Sequence, residues 1–148
     1  KAAAEAAIAS IMPTAVIART SLILGDRGDS PQALRVRDLA QGKAAGVLFT
    51  DDIRCPVHVR DLAAALLELA ESERTGIHHL AGSDAMNRYD LGLLIARRDG
   101  LDTRLLRRGT RAGSDSPGPL DVRLDSAATQ AHLRTRLRGA REFLATAA

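Results

Sequence analysis

The chain has 148 residues, 45% hydrophobic and 26% charged, and a formal net charge of +3. That size and balance suit one packed domain, or part of one, and exclude a disordered, collagen-like or disulfide-stapled polypeptide. The positive balance does not point to nucleic acid, because 19 of the 21 basic residues are arginines spread among 18 acids, and Tyr89, Phe49 and Phe143 offer no stacking platform for single strands.

The opening "KAAAEAAIAS" is rich in strong helix formers, and a helix there must stop before Met12-Pro13, since the residue preceding a proline is pushed out of the helical region. Glu5 interrupts the alanine run and no apolar h-region follows, so a signal peptide is not expected in these ten residues. Residues 14–24, "TAVIARTSLIL", are β-branched and apolar and close on Gly25, which predicts a buried strand running into the loop "DRGDSP". "PQALRVRDLAQG" then reads as an amphipathic helix with Pro31 near its start and Gly42 at its end. A short strand in "GVLFT", a loop in "DDIRC" and an extended "PVHV" come next. Residues 61–72 form the clearest helix, with Asp61 placed as its N-terminal cap and Leu62, Ala65, Leu66 and Leu69 on one face. "GIHHLAG" predicts a strand, and "NRYDLGLLIARRDG" a helix with Asn87 and Asp90 at capping-box spacing. The stretch "RAGSDSPGP" is loop, "LDVRLD" a final strand or turn, and the C-terminus is helical. Helices and strands alternate throughout, so the class is α/β.

No apolar run approaches the roughly 18–20 residues that a transmembrane helix needs. Cys55 is the sole cysteine, which fits a small buried hydrophobe in a reducing compartment, and the expected location is cytoplasmic. His78 and His79 are adjacent on a predicted strand and point to opposite faces. With no ligand-spaced partner near them or His58, no metal site is expected. The arginines at 134, 136, 138 and 141 read as a solvated helix face.

In this order and at this spacing, "ARTSLILG", "PVHVRDLA" and "GIHHLAGSDAMNRYDL" resemble the C-terminal half of an extended short-chain dehydrogenase/reductase. The similarity is greatest to the dTDP-4-dehydrorhamnose reductase-like, sugar-nucleotide-binding family, and it runs from Lys1 to about Leu144. It implies the C-terminal part of a Rossmann-type parallel sheet with a small substrate-binding subdomain over residues 1–148. The N-terminal dinucleotide-binding half would lie outside this sequence, as would the Gly-rich turn, which none of the glycines here reproduces. It also implies NAD(P)H as cofactor, a nucleotide sugar as substrate, and either the other half or a second copy as protein partner.

Carried over by residue, Lys1 matches the lysine of the family's Tyr-x-x-x-Lys motif, a catalytic and cofactor-binding role, with the tyrosine four residues upstream. At that spacing the ammonium lies near the phenol on one helix face and lowers its pKa. Thr20 and Ser21 would contact the cofactor, and Leu22 and Arg54 the substrate, with Arg54 able to grip a phosphate. The bland readings stand beside these: Thr20 and Ser21 finishing a buried strand, Arg54 a solvated loop arginine, Arg19 a strand-end ion-pair partner. Two departures weaken the sugar contact: Leu22 and Leu24 stand where the family often has aromatics, and Gly118 replaces the arginine of its Arg-Pro segment. The chain alone is therefore expected to bind cofactor weakly and to be inactive. The alternative is a non-catalytic binding or regulatory module.

Overall fold

The computed structural model describes residues 1–26, 28–115 and 118–145. In chain order these form α1 (Ala2–Ile11), β1 (Val16–Thr20), β2 (Ile23–Leu24), α2 (Pro31–Ala40), β3 (Leu48–Phe49), β4 (Ile53–Arg54), β5 (Val57–His58) and α3 (Val59–Ala70). They continue with β6 (Gly76–Leu80), β7 (Met86–Asn87), α4 (Arg88–Arg98), β8 (Arg108–Gly109), α5 (Ala127–Gln130) and α6 (Ala140–Ala145). The pairs β1–β6, β2–β5 and β3–β8 are parallel, and β4–β7 is antiparallel. Each parallel pair is bridged by long helical connections, as parallel pairing requires, so the class is α/β as the alternating pattern predicted.

Two apolar cores hold these elements. The stripe Leu62, Ala65 and Leu69 of α3 packs on Val57, Leu80 and Leu137. In the larger core, Ala33, Val36 and Leu39 of α2 meet Leu91, Ile95 and Ala96 of α4, with Leu24, Leu48 and Phe143 filling between them. Gly92 is what lets β3 come so close to α4, because a Cβ there would collide with Leu48 Cδ1. At the end of β6, Gly82 is equally constrained: a Cβ would fall on the carbonyl oxygen of Pro56 and lie 2.8 Å from that of Arg138. By contrast α1 buries none of its residues, and Ile11 is 84% exposed.

Four expectations are corrected. The strand predicted over 14–24 is two strands, because Ser21 Oγ accepts the Cys55 amide (3.1 Å) and Leu22 O accepts the Val57 amide (2.8 Å), so the chain leaves β6 and re-pairs with β5. Helix α3 starts at Val59, and its cap is His58, whose side chain accepts from the Arg60 amide; Asp61 turns inward instead. The segment carrying Arg134, Arg136 and Arg138 is not helical, since α6 begins at Ala140. Those arginines are also not merely solvated: Arg136 pairs with Glu142, Arg138 with Asp61, and Arg141 with Asp84. Within "LDVRLD", pairing is limited to a bridge between Ile53 and Asp121. The Asn87–Asp90 cap is formed as predicted, with the Asp90 amide donating to Asn87 Oδ1 at 2.8 Å. In "RAGSDSPGP", Ser116 and Pro117 lie outside the described residues.

Candidate functional site

The turn after β3 builds the site. Because β3 pairs with β8, residues 50–52 run beside residues 109–112, and the Thr50 amide donates to Gly109 O at 2.9 Å. Asp51 accepts the amides of Arg111 (2.7 Å) and Ala112 (3.0 Å), and those two bonds, that of Ala112 first, hold its carboxyl below the usual carboxylate range. With Asp51 facing that loop, Asp52 points into the protein and is fully buried. Antiparallel pairing of β4 with β7 sets Ile53 opposite Asn87, which delivers Arg88 at the head of α4.

Three guanidinium groups converge on Asp52 among the described residues. Arg88 Nε donates to Oδ2 at 3.2 Å, Arg111 Nη2 stands 2.9 Å from the same oxygen, and Arg54 Nη1 lies 2.6 Å from Oδ1. The Arg54 and Arg111 pairs are charge contacts without hydrogen-bond alignment, leaving Asp52 Oδ1 and Arg111 Nε buried and unbonded. Three guanidinium groups share the one buried carboxylate, while Asp51 also interacts with Arg111 and Asp121 with Arg54. Gathered guanidinium donors of this kind are suited to recognising a phosphate or carboxylate.

This cluster forms one end of a cleft of about 670 Å³ that Asp52, Arg88 and Arg111 help to line. The rest of the lining is largely apolar, with Val47, Phe49, Leu91 and Ile95, and also carries Gln32, Arg35, Ser114 and Asp115. The Arg111 guanidinium carbon sits 5.2 Å from the centre of the Phe49 ring, a cation–π contact that fixes its orientation. A cationic end joined to an apolar slot accommodates an amphiphilic anion, in which a charged group is attached to a flat or apolar body.

The residues singled out from sequence fall in three places. Arg54 joins the Asp52 cluster through Nη1, but that same Nη1 donates to Ile53 O (2.7 Å) and Leu120 O (3.2 Å), and Nη2 to Pro119 O (3.1 Å), so it anchors the loop as well. Thr20, Ser21 and Leu22 lie together at the end of β1: Thr20 Oγ1 donates to Leu80 O at 2.7 Å, Ser21 Oγ accepts from Cys55, and Leu22 packs on the larger core. Lys1 heads α1 in solvent, and α1 is tied to β1 by a two-point Arg19–Glu5 pair at 2.6 and 3.1 Å, the ion-pair role expected of Arg19. Asp51, Asp52, Arg88 and Arg111 were not foreseen. The doublet "DD" before the half-buried strand β4 is the one local signal, and the Asp52 partners Arg88 and Arg111 lie 36 and 59 residues away.

A second polar cluster ties the C-terminal segment to α3. Arg138 grips Asp61 through Nε (2.9 Å) and Nη2 (2.8 Å), and its amide also donates to Asp61 Oδ2. His58 Nδ1 lies near the Arg60 amide (3.3 Å), Arg138 Nη2 (3.2 Å) and Asp61 Oδ1 (3.8 Å), while Nε2 meets Asp26 Oδ1 at 2.8 Å. Burial by itself would raise the Asp61 pKa, but the Arg138 bonds and charge outweigh it and leave the carboxyl below its ordinary value. A carboxylate whose pKa is depressed on folding adds stability that is complete above its unfolded pKa, near 3.9, and is lost as pH falls through the lower folded value. Thermal midpoints measured from pH 6 to pH 2 are therefore expected to drop below about pH 4. Asp61→Asn should flatten part of that acid limb; an unchanged limb would exclude Asp61 as a contributor.

A family model described as the RmlD substrate binding domain matches residues 1–148. A probable low-salt glycan biosynthesis reductase of Haloferax volcanii is 32% identical over 117 residues, covering 76% of this chain and 39% of that protein. A dTDP-4-dehydrorhamnose reductase of Mycolicibacterium smegmatis is 29% identical over 150 residues, covering 97% of this chain and 45% of its own length. The chain thus spans less than half the length of these relatives. In three dimensions it matches a dTDP-4-dehydrorhamnose reductase from Bacillus anthracis solved in complex with NADP, with a TM-score of 0.72, 16% identity, and coverage of 88% of this chain and 46% of the other.

Proposed function

The chain belongs to the RmlD substrate binding domain family, and on that footing we propose that it is the sugar-nucleotide-binding portion of an NAD(P)-dependent reductase of the dTDP-4-dehydrorhamnose type. The observation that carries the reading is the Asp52 cluster, which gathers three guanidinium groups, two of them lining a largely apolar cleft. A nucleoside diphosphate has the complementary form: two phosphates for Arg88 and Arg111, and a flat base for the slot beside Phe49. Asp52 gathers the arginines and holds them in place before the ligand arrives, so less freedom is lost on binding.

A nicotinamide cofactor would supply hydride to a sugar carbonyl. The residues assigned to it retain capacity for such a ligand. Lys1 makes no ion pair among the described residues, and Ser21, whose oxygen accepts from Cys55, keeps its own O–H to donate. Thr20 has its proton committed to Leu80 O and keeps acceptor capacity. In this proposal Lys1 holds ribose hydroxyls and lowers the pKa of a neighbouring phenol, while Leu22 borders the sugar.

The test is calorimetric titration of the purified chain with dTDP at low and at high salt. Saturable binding that weakens as salt rises is expected, because the cluster's arginines are each partly in solvent. An absence of binding at millimolar dTDP would remove the reading.

A further inference from the structure

Gln32 has no role in the fold that its neighbours do not already fill. It sits in the first turn of α2, whose cap is supplied by Ser30, the Ser30 Oγ accepting the Ala33 amide at 3.2 Å. Its side chain makes no hydrogen bond among the described residues, yet its Oε1 is buried. A buried amide oxygen with no partner is costly and calls for a specific reason in a native structure. Gln32 lines the same cleft as Phe49, Asp52, Arg88 and Arg111, and it is the only carboxamide among the described residues that line it.

Apart from the Asp115 carboxylate, which can only accept, the other polar side chains of the cleft are engaged elsewhere, Ser114 Oγ donating to Arg111 O at 2.9 Å. Arg35 donates to Ala45 O at 3.1 Å, and Arg88 and Arg111 are drawn to Asp52. Phosphates would take the arginine end, so a base in the slot would bring its own polar edge against largely apolar walls. That edge has to find a partner or lose its hydration uncompensated. A carboxamide offers one acceptor and two donors, which matches the alternating C=O and N–H groups of a base such as thymine.

We infer that Gln32 reads the polar edge of the nucleobase, an inference that rests on the cleft being the sugar-nucleotide site. The nucleoside's charged and uncharged parts can be probed separately, by titrating the chain and its Gln32→Leu variant with dTDP and with inorganic pyrophosphate. Expected is a rise of about five- to tenfold in the dTDP dissociation constant of the variant, the size of one or two neutral hydrogen bonds, with pyrophosphate affinity unchanged. Unchanged pyrophosphate binding also reports that the variant is folded. Equal dTDP affinity in both proteins overturns the role of Gln32 and leaves the site standing. A parallel loss of both ligands in the variant makes Gln32 a structural residue and overturns it too. If neither ligand binds the unaltered chain, the site reading fails, and the inference with it.

Discussion

Asp52→Ala is expected to lower the free energy of unfolding by about 3 kcal/mol, the lower end of the range for removing one partner of a buried ion pair. The carboxylate is completely buried, while the three arginine side chains are 13%, 24% and 18% exposed for Arg54, Arg88 and Arg111. That partial exposure lets the freed guanidiniums turn toward water, which is why the upper end near 5 kcal/mol is not reached. What cannot relax easily is Arg54, whose Nη1 holds the carbonyls of Ile53 and Leu120 and whose Nη2 holds that of Pro119. Asp52→Asn keeps the shape and removes the charge, so a similar loss in both variants would locate the effect in charge, and a loss in alanine alone would locate it in packing. The readout is the denaturant midpoint at unchanged slope. A shift worth less than about 1 kcal/mol would mean that the arginines repel one another little and that Asp52 is not the organising anion.

How much of this was legible in the sequence depends on the distance between the partners. α2 was readable because Pro31 and the apolar residues Ala33, Val36 and Leu39 lie within one turn or two of each other, and the Asn87–Asp90 cap because its two residues are three apart. Asp61 shows the limit of such local rules: an aspartate ahead of an apolar stripe reads as a cap, but a partner 77 residues away, Arg138, drew it inward and left the capping to His58. The strand break at Ser21 is a tertiary effect of the same kind, since nothing in "ARTSLILG" says that the Cys55 amide will take the serine oxygen. The family resemblance directed attention to the end of β1 and to Arg54. Of these only Arg54 belongs to the Asp52 cluster, and the arginines beside it come from segments that read as a helix start and a loop.

The second large effect concerns binding. Arg111→Met should raise the dissociation constant for dTDP by about 10- to 100-fold, because a hydrogen bond to a charged group contributes about 1.5–3 kcal/mol and each 1.4 kcal/mol is tenfold. Arg111 is the best placed of the three arginines: its Nε is buried and unbonded, its Nη2 faces Asp52 and its plane is set by Phe49. Arg88 by comparison spends its Nε on Asp52, and Arg54 is occupied with backbone carbonyls. Arg111→Lys keeps the charge but not the planar fork, so it should recover only part of the affinity, and its binding should weaken with salt much as that of the unaltered chain does. If Arg111→Lys binds as well as arginine, the site senses charge alone and the oriented guanidinium has no special part. If Arg111→Met binds dTDP unimpaired while still folded, the phosphates do not lie at this end of the cleft, and the nucleotide must be sought at the carboxyl end of β1 beside Thr20 and Ser21, since ligands of parallel sheets bind outside the carboxyl ends of the strands.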